Sequence, residues 1–307
     1  HPNYAGDVGL GINPALKKRL AESDLIILLG ARFSENPSQG FTLLSIPQPA
    51  QRLVHVHPGP EEIGRIYTPD LPVNATPGAF LEAAAALTPP GASRGRAAEA
   101  HASWEGWSVP PAPPPGEGVD LGAVVAHLSE TCGDEAILCN GAGNYAVWLH
   151  RFYPFRRFGT QLAATSGSMG YGLPAAVAAK LRHPEREVIC LAGDGCFQMT
   201  MQEFGTAAQY GAGLILLVCD NGSYGTIRMH QERHYPGRVT ATDIVNPDFA
   251  ALARAYGAHA ETVRATGDAA PALARAREAG GLALLHLKTI REAITPTARL
   301  SELGRGS

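Results

Sequence analysis

The chain alternates between short, continuously apolar runs and stretches whose apolar residues recur at helical spacing. The continuous runs predict strands that are buried on both faces, as in parallel sheets. The predicted strands cover residues 24–30, 52–57, 71–76, 136–140, 187–193, 214–221 and 282–289. The predicted helices cover residues 14–22, 77–87, 120–131, 172–181, 197–210 and 246–257. This order predicts an α/β protein with two doubly wound, mostly parallel sheets.

A proline- and glycine-rich stretch, PPAPPPGEG at 110–118, divides the chain. Proline fixes φ and removes a backbone donor, so this stretch predicts an extended linker. The charged, alanine-rich residues just before it, 94–107, predict a connecting helix. We therefore expect a first domain at 1–93, a linker at 94–118 and a second domain at 119–307.

The composition is that of an ordinary globular protein, with 307 residues, 45% hydrophobic and 17% charged, and a net charge of −3. This near-neutral charge gives no electrostatic reason to expect binding to nucleic acid or to an anionic membrane. No apolar run reaches the ~18 residues of a membrane span. Neither a signal peptide nor a CxxC pair is visible, which favours a reduced, cytoplasmic setting. Because His1 opens what reads as the inside of a domain, we expect a longer polypeptide whose first domain is truncated here.

Polar oxygen donors follow two of the predicted strands, at 193–195 (Gly-Asp-Gly) and at 220–223 (Asp-Asn-Gly-Ser). Ligands of open α/β sheets bind beyond the carboxyl ends of the strands, and a helix N-terminus attracts phosphate. A carboxylate and a carboxamide suit Mg²⁺, and glycine lets the backbone approach a phosphate. Alone, Gly-Asp-Gly is typical of a tight turn. Together, the two groups favour a diphosphate bridged by a metal.

The spacing of these two groups matches a known family. Gly195 and Asn221 are separated by 25 residues, and the chain resembles the C-terminal part of thiamine diphosphate-dependent enzymes of the acetolactate synthase and benzoylformate decarboxylase type. The stretches that carry the resemblance are GSMGYGLPAA (167–176), GDGCFQMTMQE (193–203), NGSYGTIRMHQE (221–232) and, more loosely, GINPALKKRLAESDLIILLGAR (11–32). The resemblance implies a middle domain followed by a thiamine diphosphate-binding fold.

The resemblance also implies roles for individual residues. Asp194 and Asn221 would bind Mg²⁺ through side-chain oxygens, and Ser223 would bind it through its backbone carbonyl. The Gly167 carbonyl would accept from the cofactor's 4′-amino group. Met169 would bend the cofactor so that a base lies beside the proton it removes, although it could also be an ordinary core methionine. The other implied cofactor contacts are Asn144, Tyr145, Gly193, Gly195, Cys196 and Tyr224, with the Gly195 and Cys196 amides on the diphosphate.

The chain departs from acetolactate synthases around the expected substrate channel. Asn144-Tyr145 stands where those enzymes usually have Gln-His, Met229-His230 replaces Gln-Trp, and Thr226 replaces Met. Arg228 and His230 either bind a substrate carboxylate or lie on a solvated helix face. The smaller, more polar surface predicts a 2-oxo acid that is longer than pyruvate or has a polar tail. The candidate pocket residues are Thr226, Ile227, Arg228 and His230.

The first domain bears on a flavin. Relatives that carry FAD have acidic residues after the GAR triplet and after the next strand, whereas this chain keeps Arg32 but has His57 and Gly59 at the later acidic positions. A carboxylate that would bind the ribose is missing there. The sequence therefore disfavours FAD, and it predicts structural roles for His55 and His57.

The family's catalytic glutamate lies in an N-terminal pyrimidine-binding domain, outside these 307 residues. The resemblance implies a homodimer or homotetramer in which that domain of a neighbouring subunit completes the site, so we expect the isolated chain to be inactive. The expected reaction is decarboxylation of a small-molecule 2-oxo acid, followed by carboligation or protonation. Two alternatives are a lyase acting on 2-hydroxyacyl compounds and a non-catalytic module that binds the same cofactor.

Overall fold

The computed structural model describes residues 1–88 and 94–304, which form two compact units, His1–Trp107 and Ser108–Ser307. The predicted domain boundary at residue 93 lies outside the described residues. The helix predicted at 94–107 is present and belongs to the first unit. The division into 1–93, 94–118 and 119–307 stays a prediction.

The first unit is built on a parallel sheet of three strands in the order β1-β2-β3. The strands are β1 (Leu25–Leu29), β2 (Arg52–His57) and β3 (Leu71–Asn74). The helices are α1 (Pro14–Ala21), α2 (Pro77–Ala85) and α3 (Arg94–Trp107), with a 3-10 turn at Pro60–Glu62. A proline opens both α1 and α2, and the preceding Asn13 and Thr76 cap them with side-chain oxygens.

The core of this unit lies on one side of β1. Leu28 and Leu53 pack with Tyr67 in this core, whereas Leu25 and Ile27 on the other side of β1 are exposed. The strand was predicted to be buried on both faces, so the prediction is wrong for β1 among the described residues.

The second unit contains the larger sheet. Its strands are β4 (Ile137–Asn140), β5 (Gln161–Ala163), β6 (Val188–Gly193), β7 (Ile215–Asp220), β8 (His259–Val263), β9 (Ala283–Lys288), β10 (Ala293–Thr295) and β11 (Ala298–Arg299). Its helices are α4 (Leu121–Thr131), α5 (Tyr145–Phe152), α6 (Gly172–Arg182), α7 (Asp194–Gln198), α8 (Glu203–Gln209), α9 (Gly225–His234), α10 (Phe249–Ala255) and α11 (Thr266–Glu278), with a 3-10 turn at Leu300–Glu302.

Six of these strands form a fully parallel sheet in the order β5-β4-β6-β7-β9-β8, and β10 pairs with β11 separately. Helices α4, α5 and α11 cover one face of the sheet, and α6, α8 and α10 cover the other. The predicted doubly wound α/β fold is therefore confirmed here. The strand order reverses between β4 and β6, and ligands of such sheets bind at that point.

Several elements differ from the predictions. The helix predicted at 197–210 is two helices, α7 and α8, so the helix that follows Gly193 has only five residues. The sequence patterns did not predict α5, α11, β5, β8, β10 or β11, and they gave no bounds for α9, the helix that carries Arg228 and His230. Within 1–88 and 94–304, every helix is too short or too polar to cross a membrane.

Candidate active site

A cleft opens at the carboxyl ends of β4, β6 and β7, beside the reversal in strand order. It brings together most of the residues that the sequence singled out. The predicted residues that line it are Asn144, Tyr145, Met169, Gly193, Asp194, Gly195, Cys196, Asn221, Ser223, Tyr224, Thr226 and Ile227. Gly167, Arg228 and His230 do not line it.

Asp194 is the acidic group of the cleft. It directly follows β6 and is buried, with 3% of its surface exposed. Its Oδ1 accepts from the Gly195 N–H at 2.9 Å, and its Oδ2 accepts from the Gly222 N–H at 3.0 Å and from Asn246 Nδ2 at 2.7 Å. Burial raises the pKa of Asp194 to about 6, although the bonds from Asn246 and Gly195 oppose this rise.

The loop after β7 supplies neutral oxygen donors. Gly222 has φ +66°, which turns the loop toward Asp194. Asn221 Oδ1 accepts from the Ser223 N–H at 3.0 Å, and Ser223 Oγ donates to the Thr242 carbonyl at 2.9 Å. The Ser223 hydroxyl is therefore committed to the loop. One carboxylate, one carboxamide and one backbone carbonyl form a hard donor set that fits Mg²⁺.

The glycines of the cleft allow aromatic rings to approach the backbone. A Cβ on Gly193 would lie 2.9 Å from the Tyr145 ring, and a Cβ on Gly195 would lie 2.5 Å from Tyr224 Cε1. The sequence predicted that these glycines make room for a phosphate. Their tightest neighbours in the structure are the two tyrosines.

Tyr145 and Cys196 form a buried contact beneath the cleft. The Tyr145 hydroxyl donates to Cys196 Sγ at 3.3 Å, and the Gly170 N–H donates to the same sulfur at 3.0 Å. Burial raises the pKa of Tyr145 well above its ordinary value. The thiol thus joins α5, α7 and the loop of Met169, whose partly buried side chain packs against the core.

Asn144 connects three segments at the rim. Its Nδ2 donates to the Ile294 carbonyl at 2.9 Å, and its Oδ1 accepts from Thr226 Oγ1 at 2.9 Å. Its backbone N–H donates to Thr226 Oγ1 at 3.0 Å. The Asn144 amide, which was predicted to contact the cofactor, therefore holds the start of α9 and strand β10 against the loop after β4.

Three predicted residues lie away from the cleft lining. Gly167 is exposed, with φ +70°. Arg228 Nε donates to Glu232 Oε1 at 3.0 Å, one turn along α9, so its charge is matched within the helix. His230 is largely exposed and stacks on His234 at 5.8 Å between ring centroids. Partial desolvation of its ring, together with the charges of Arg233 and His234, lowers the pKa of His230.

Sequence reasoning missed the buried partners of Asp220, although it noted Asp220 itself beside Asn221. Asp220 Oδ2 accepts from His286 Nε2 at 2.7 Å and from Lys288 Nζ at 2.5 Å, and its Oδ1 accepts from Asn246 Nδ2 at 2.7 Å. Burial by itself would raise the pKa of Asp220, but the bonds from His286 and Lys288 outweigh it and hold the pKa below its ordinary value. The sequence signal that could have revealed these partners was the presence of His286 and Lys288 in the otherwise apolar strand β9.

Comparison with known proteins agrees with this geometry. Residues 141–287 match the family model of the thiamine pyrophosphate enzyme C-terminal TPP binding domain, and residues 1–84 match that of the thiamine pyrophosphate enzyme central domain. The chain belongs to the thiamine pyrophosphate enzymes. Thiamine pyrophosphate is another name for thiamine diphosphate, so the resemblance in the sequence is confirmed.

Acetolactate synthases are among the similar curated proteins. The large subunit from Corynebacterium glutamicum is 31% identical over 296 residues, which cover 91% of this chain and 46% of that protein. The isozyme 2 large subunit from Escherichia coli is 26% identical over 310 residues, covering 99% of this chain and 55% of that protein. The chain thus spans about half the length of these relatives.

Proposed function

We propose that this chain forms the diphosphate-binding part of a thiamine diphosphate- and Mg²⁺-dependent enzyme that acts on a 2-oxo acid. The observation that carries the proposal is the meeting of Asp194, Asn221 and Ser223 in one cleft at the ends of β6 and β7. The names of the similar proteins support acetolactate synthase-like chemistry. Magnesium and the residue roles are part of the proposal.

Asp194, Asn221 and the Ser223 carbonyl would hold Mg²⁺. The donor chemistry supports this assignment, because Asp194 is the anionic side chain of the cleft and a diphosphate brings further negative charge that a cation must bridge. Within 1–88 and 94–304, no cluster of three or more His, Cys, Asp or Glu offers another metal site. The backbone at Gly195 and Cys196 would face the diphosphate.

Thiamine diphosphate, when bound, would supply a carbon nucleophile and an electron sink for the decarboxylation of a 2-oxo acid. The chain's own contribution is orientation. Met169 would contact the cofactor, and Thr226 and Ile227 would bound the substrate space. The Gly167 carbonyl, which lies outside the cleft lining, would accept from the cofactor's amino group. The catalytic glutamate would come from a pyrimidine-binding domain of a neighbouring subunit in a homodimer or homotetramer.

Calorimetry on the intact protein tests the site. Thiamine diphosphate with Mg²⁺ should bind the wild type, and Asp194→Ala should abolish binding because it removes the anionic ligand. Asp248→Asn is a suitable control, since Asp248 caps α10 outside the cleft and asparagine caps equally well. Unchanged affinity of the Asp194→Ala variant would refute the site.

Product analysis tests the reaction. With the cofactor and Mg²⁺, ¹³C-labelled pyruvate and longer 2-oxo acids should release CO₂ and yield either a ligated 2-hydroxy ketone or an aldehyde. Cofactor binding without turnover of any 2-oxo acid would refute the proposed reaction. Cleavage of 2-hydroxyacyl compounds in its place would identify a lyase.

A further inference from the structure

A buried polar network lies directly behind the candidate metal ligand. Asp194 directly follows strand β6, and 3% of its surface is exposed. Asp220 is the last residue of the neighbouring strand β7, and 4% of its surface is exposed. Both carboxylates accept from one nitrogen, Asn246 Nδ2, at 2.7 Å each. The Gly222 N–H bridges the same two oxygens, at 3.0 and 2.9 Å. Like charges this close repel each other, so their approach requires these shared donors.

The two carboxylates differ in how their charge is matched. Asp220 lies beside Lys288 in the register of β7 and β9, and it bonds to both Lys288 and His286. Asp194 forms no ion pair with any residue that the structure describes, and its partners are N–H groups only. A buried carboxylate without a cation is costly, so Asp194 is the one that an added cation would stabilise.

The hydrogen bonds also determine which part of Asp194 is available. A carboxylate offers about four acceptor sites, two on each oxygen. Gly222 and Asn246 use both sites on Oδ2, and Gly195 uses one on Oδ1. One acceptor site therefore remains, and it lies on Oδ1.

The orientation of the Asn246 amide is itself held. Gln198 Nε2 donates to Asn246 Oδ1 at 2.8 Å, so the Asn246 carbonyl faces Gln198 and its NH₂ group faces the carboxylates. The NH₂ group has two hydrogens, one for each carboxylate. Leucine at this position would keep similar bulk and lose both donors.

We propose that Asn246 is a positioning residue for the divalent cation. It ties the Asp194 carboxylate to Asp220, which Lys288 and His286 anchor, and so presents Oδ1 to the metal. This inference rests on the proposed function, because it assumes that Asp194 ligates the metal. It adds a requirement outside the ligand set, namely that a residue which does not touch the metal sets the metal's affinity.

The test is the Mg²⁺ dissociation constant of the intact protein, measured by calorimetry with saturating thiamine diphosphate. Asn246→Leu and the smaller Asn246→Ala should each weaken Mg²⁺ binding by roughly 10- to 100-fold, as is typical when a partner of a metal ligand is removed. Asp248→Asn, two residues along the same loop, should bind Mg²⁺ like the wild type. Mn²⁺ binding followed by electron paramagnetic resonance gives the same comparison without relying on turnover.

A dissociation constant within twofold of the wild type in both Asn246 variants would overturn the proposal, provided that Asp194→Ala loses binding in the same assay. If Asp194→Ala also keeps its affinity, the metal site and the proposed function are refuted together. Thermal unfolding of each variant identifies a folding defect. The alanine variant keeps the test decisive if leucine cannot be accommodated.

Discussion

Replacing Asp194 with asparagine should change how the stability of the metal-free protein depends on pH. The carboxyl is buried, forms no ion pair among the described residues, and has a pKa raised to about 6 by burial. In the unfolded chain the same group has its ordinary value of 3.8. Ionised Asp194 therefore disfavours the folded state whenever no cation is bound.

The sign follows from proton linkage. Between the two pKa values the folded protein binds more protons than the unfolded chain, so stability falls as the pH rises through about 6. At about 1.36 kcal/mol per pKa unit, the full penalty is ~3 kcal/mol and is reached above pH ~7. Lowering the pH from 8 to 5 should relieve about 1–2 kcal/mol of it, because the folded group is then protonated while the unfolded one is still mostly ionised.

The measurement is urea unfolding in EDTA at pH 8, 7, 6 and 5 for the wild type and Asp194→Asn. Other groups titrate in both proteins, so the informative quantity is the difference in unfolding free energy between the two. As the pH falls from 8 to 5, the wild type should gain about 1–2 kcal/mol of unfolding free energy relative to Asp194→Asn. A difference that stays constant within about 0.5 kcal/mol would refute a buried, unpaired carboxylate at this position.

Three further outcomes are expected. Gly195→Ala should lower the unfolding free energy by about 1–3 kcal/mol, because its Cβ would lie 2.5 Å from Tyr224, whereas Gly133→Ala meets no atom within 4 Å and should be tolerated. Thr226→Met, which narrows the cleft, should raise the ratio of the rate with pyruvate to the rate with longer 2-oxo acids by ~10-fold or more. His230→Trp, which lies outside the cleft lining, should leave this ratio unchanged. The purified protein should show no flavin absorbance, since a ribose-binding acid is missing from its first unit.

Each of these outcomes has a clear counter-result. Equal urea midpoints for the two glycine variants would contradict the close contact with Tyr224. A larger change in substrate preference for His230→Trp than for Thr226→Met would move the pocket to the far side of α9. Stoichiometric flavin after gel filtration would overturn the expectation about the cofactor.

The main strands and the core of the site could be predicted from the sequence because their signals are local. The inner strands β6 and β7 are continuous apolar runs, buried at every position. The group at 193–195 and Asn221 stand at fixed spacing across one strand-helix-strand unit, so the fold of that unit alone brings them together. The candidate metal ligands could therefore be identified from this one stretch of sequence, without knowledge of contacts to distant residues.

Elements with weak local signals were missed. Helix α11 contains Pro271, and strand β8 (HAETV) is short and mostly polar. Both are stabilised by packing: α11 covers one face of the sheet, and β8 pairs with β9 at its edge. Helix α5 follows a glycine-rich loop that masked its start.

By itself, the sequence determined which polar residues stand at the end of each strand. Those residue types in turn indicate the kind of ligand that would bind at this edge of the sheet. Only the tertiary structure decided how those groups are used. Asn144 is hydrogen-bonded to Thr226, and Tyr145 is hydrogen-bonded to Cys196. Asp220 accepts hydrogen bonds from strand β9 and from Asn246. The physical reason is that a hydrogen bond is directional and pairs groups far apart in sequence, so no local pattern records which donor will reach a buried acceptor.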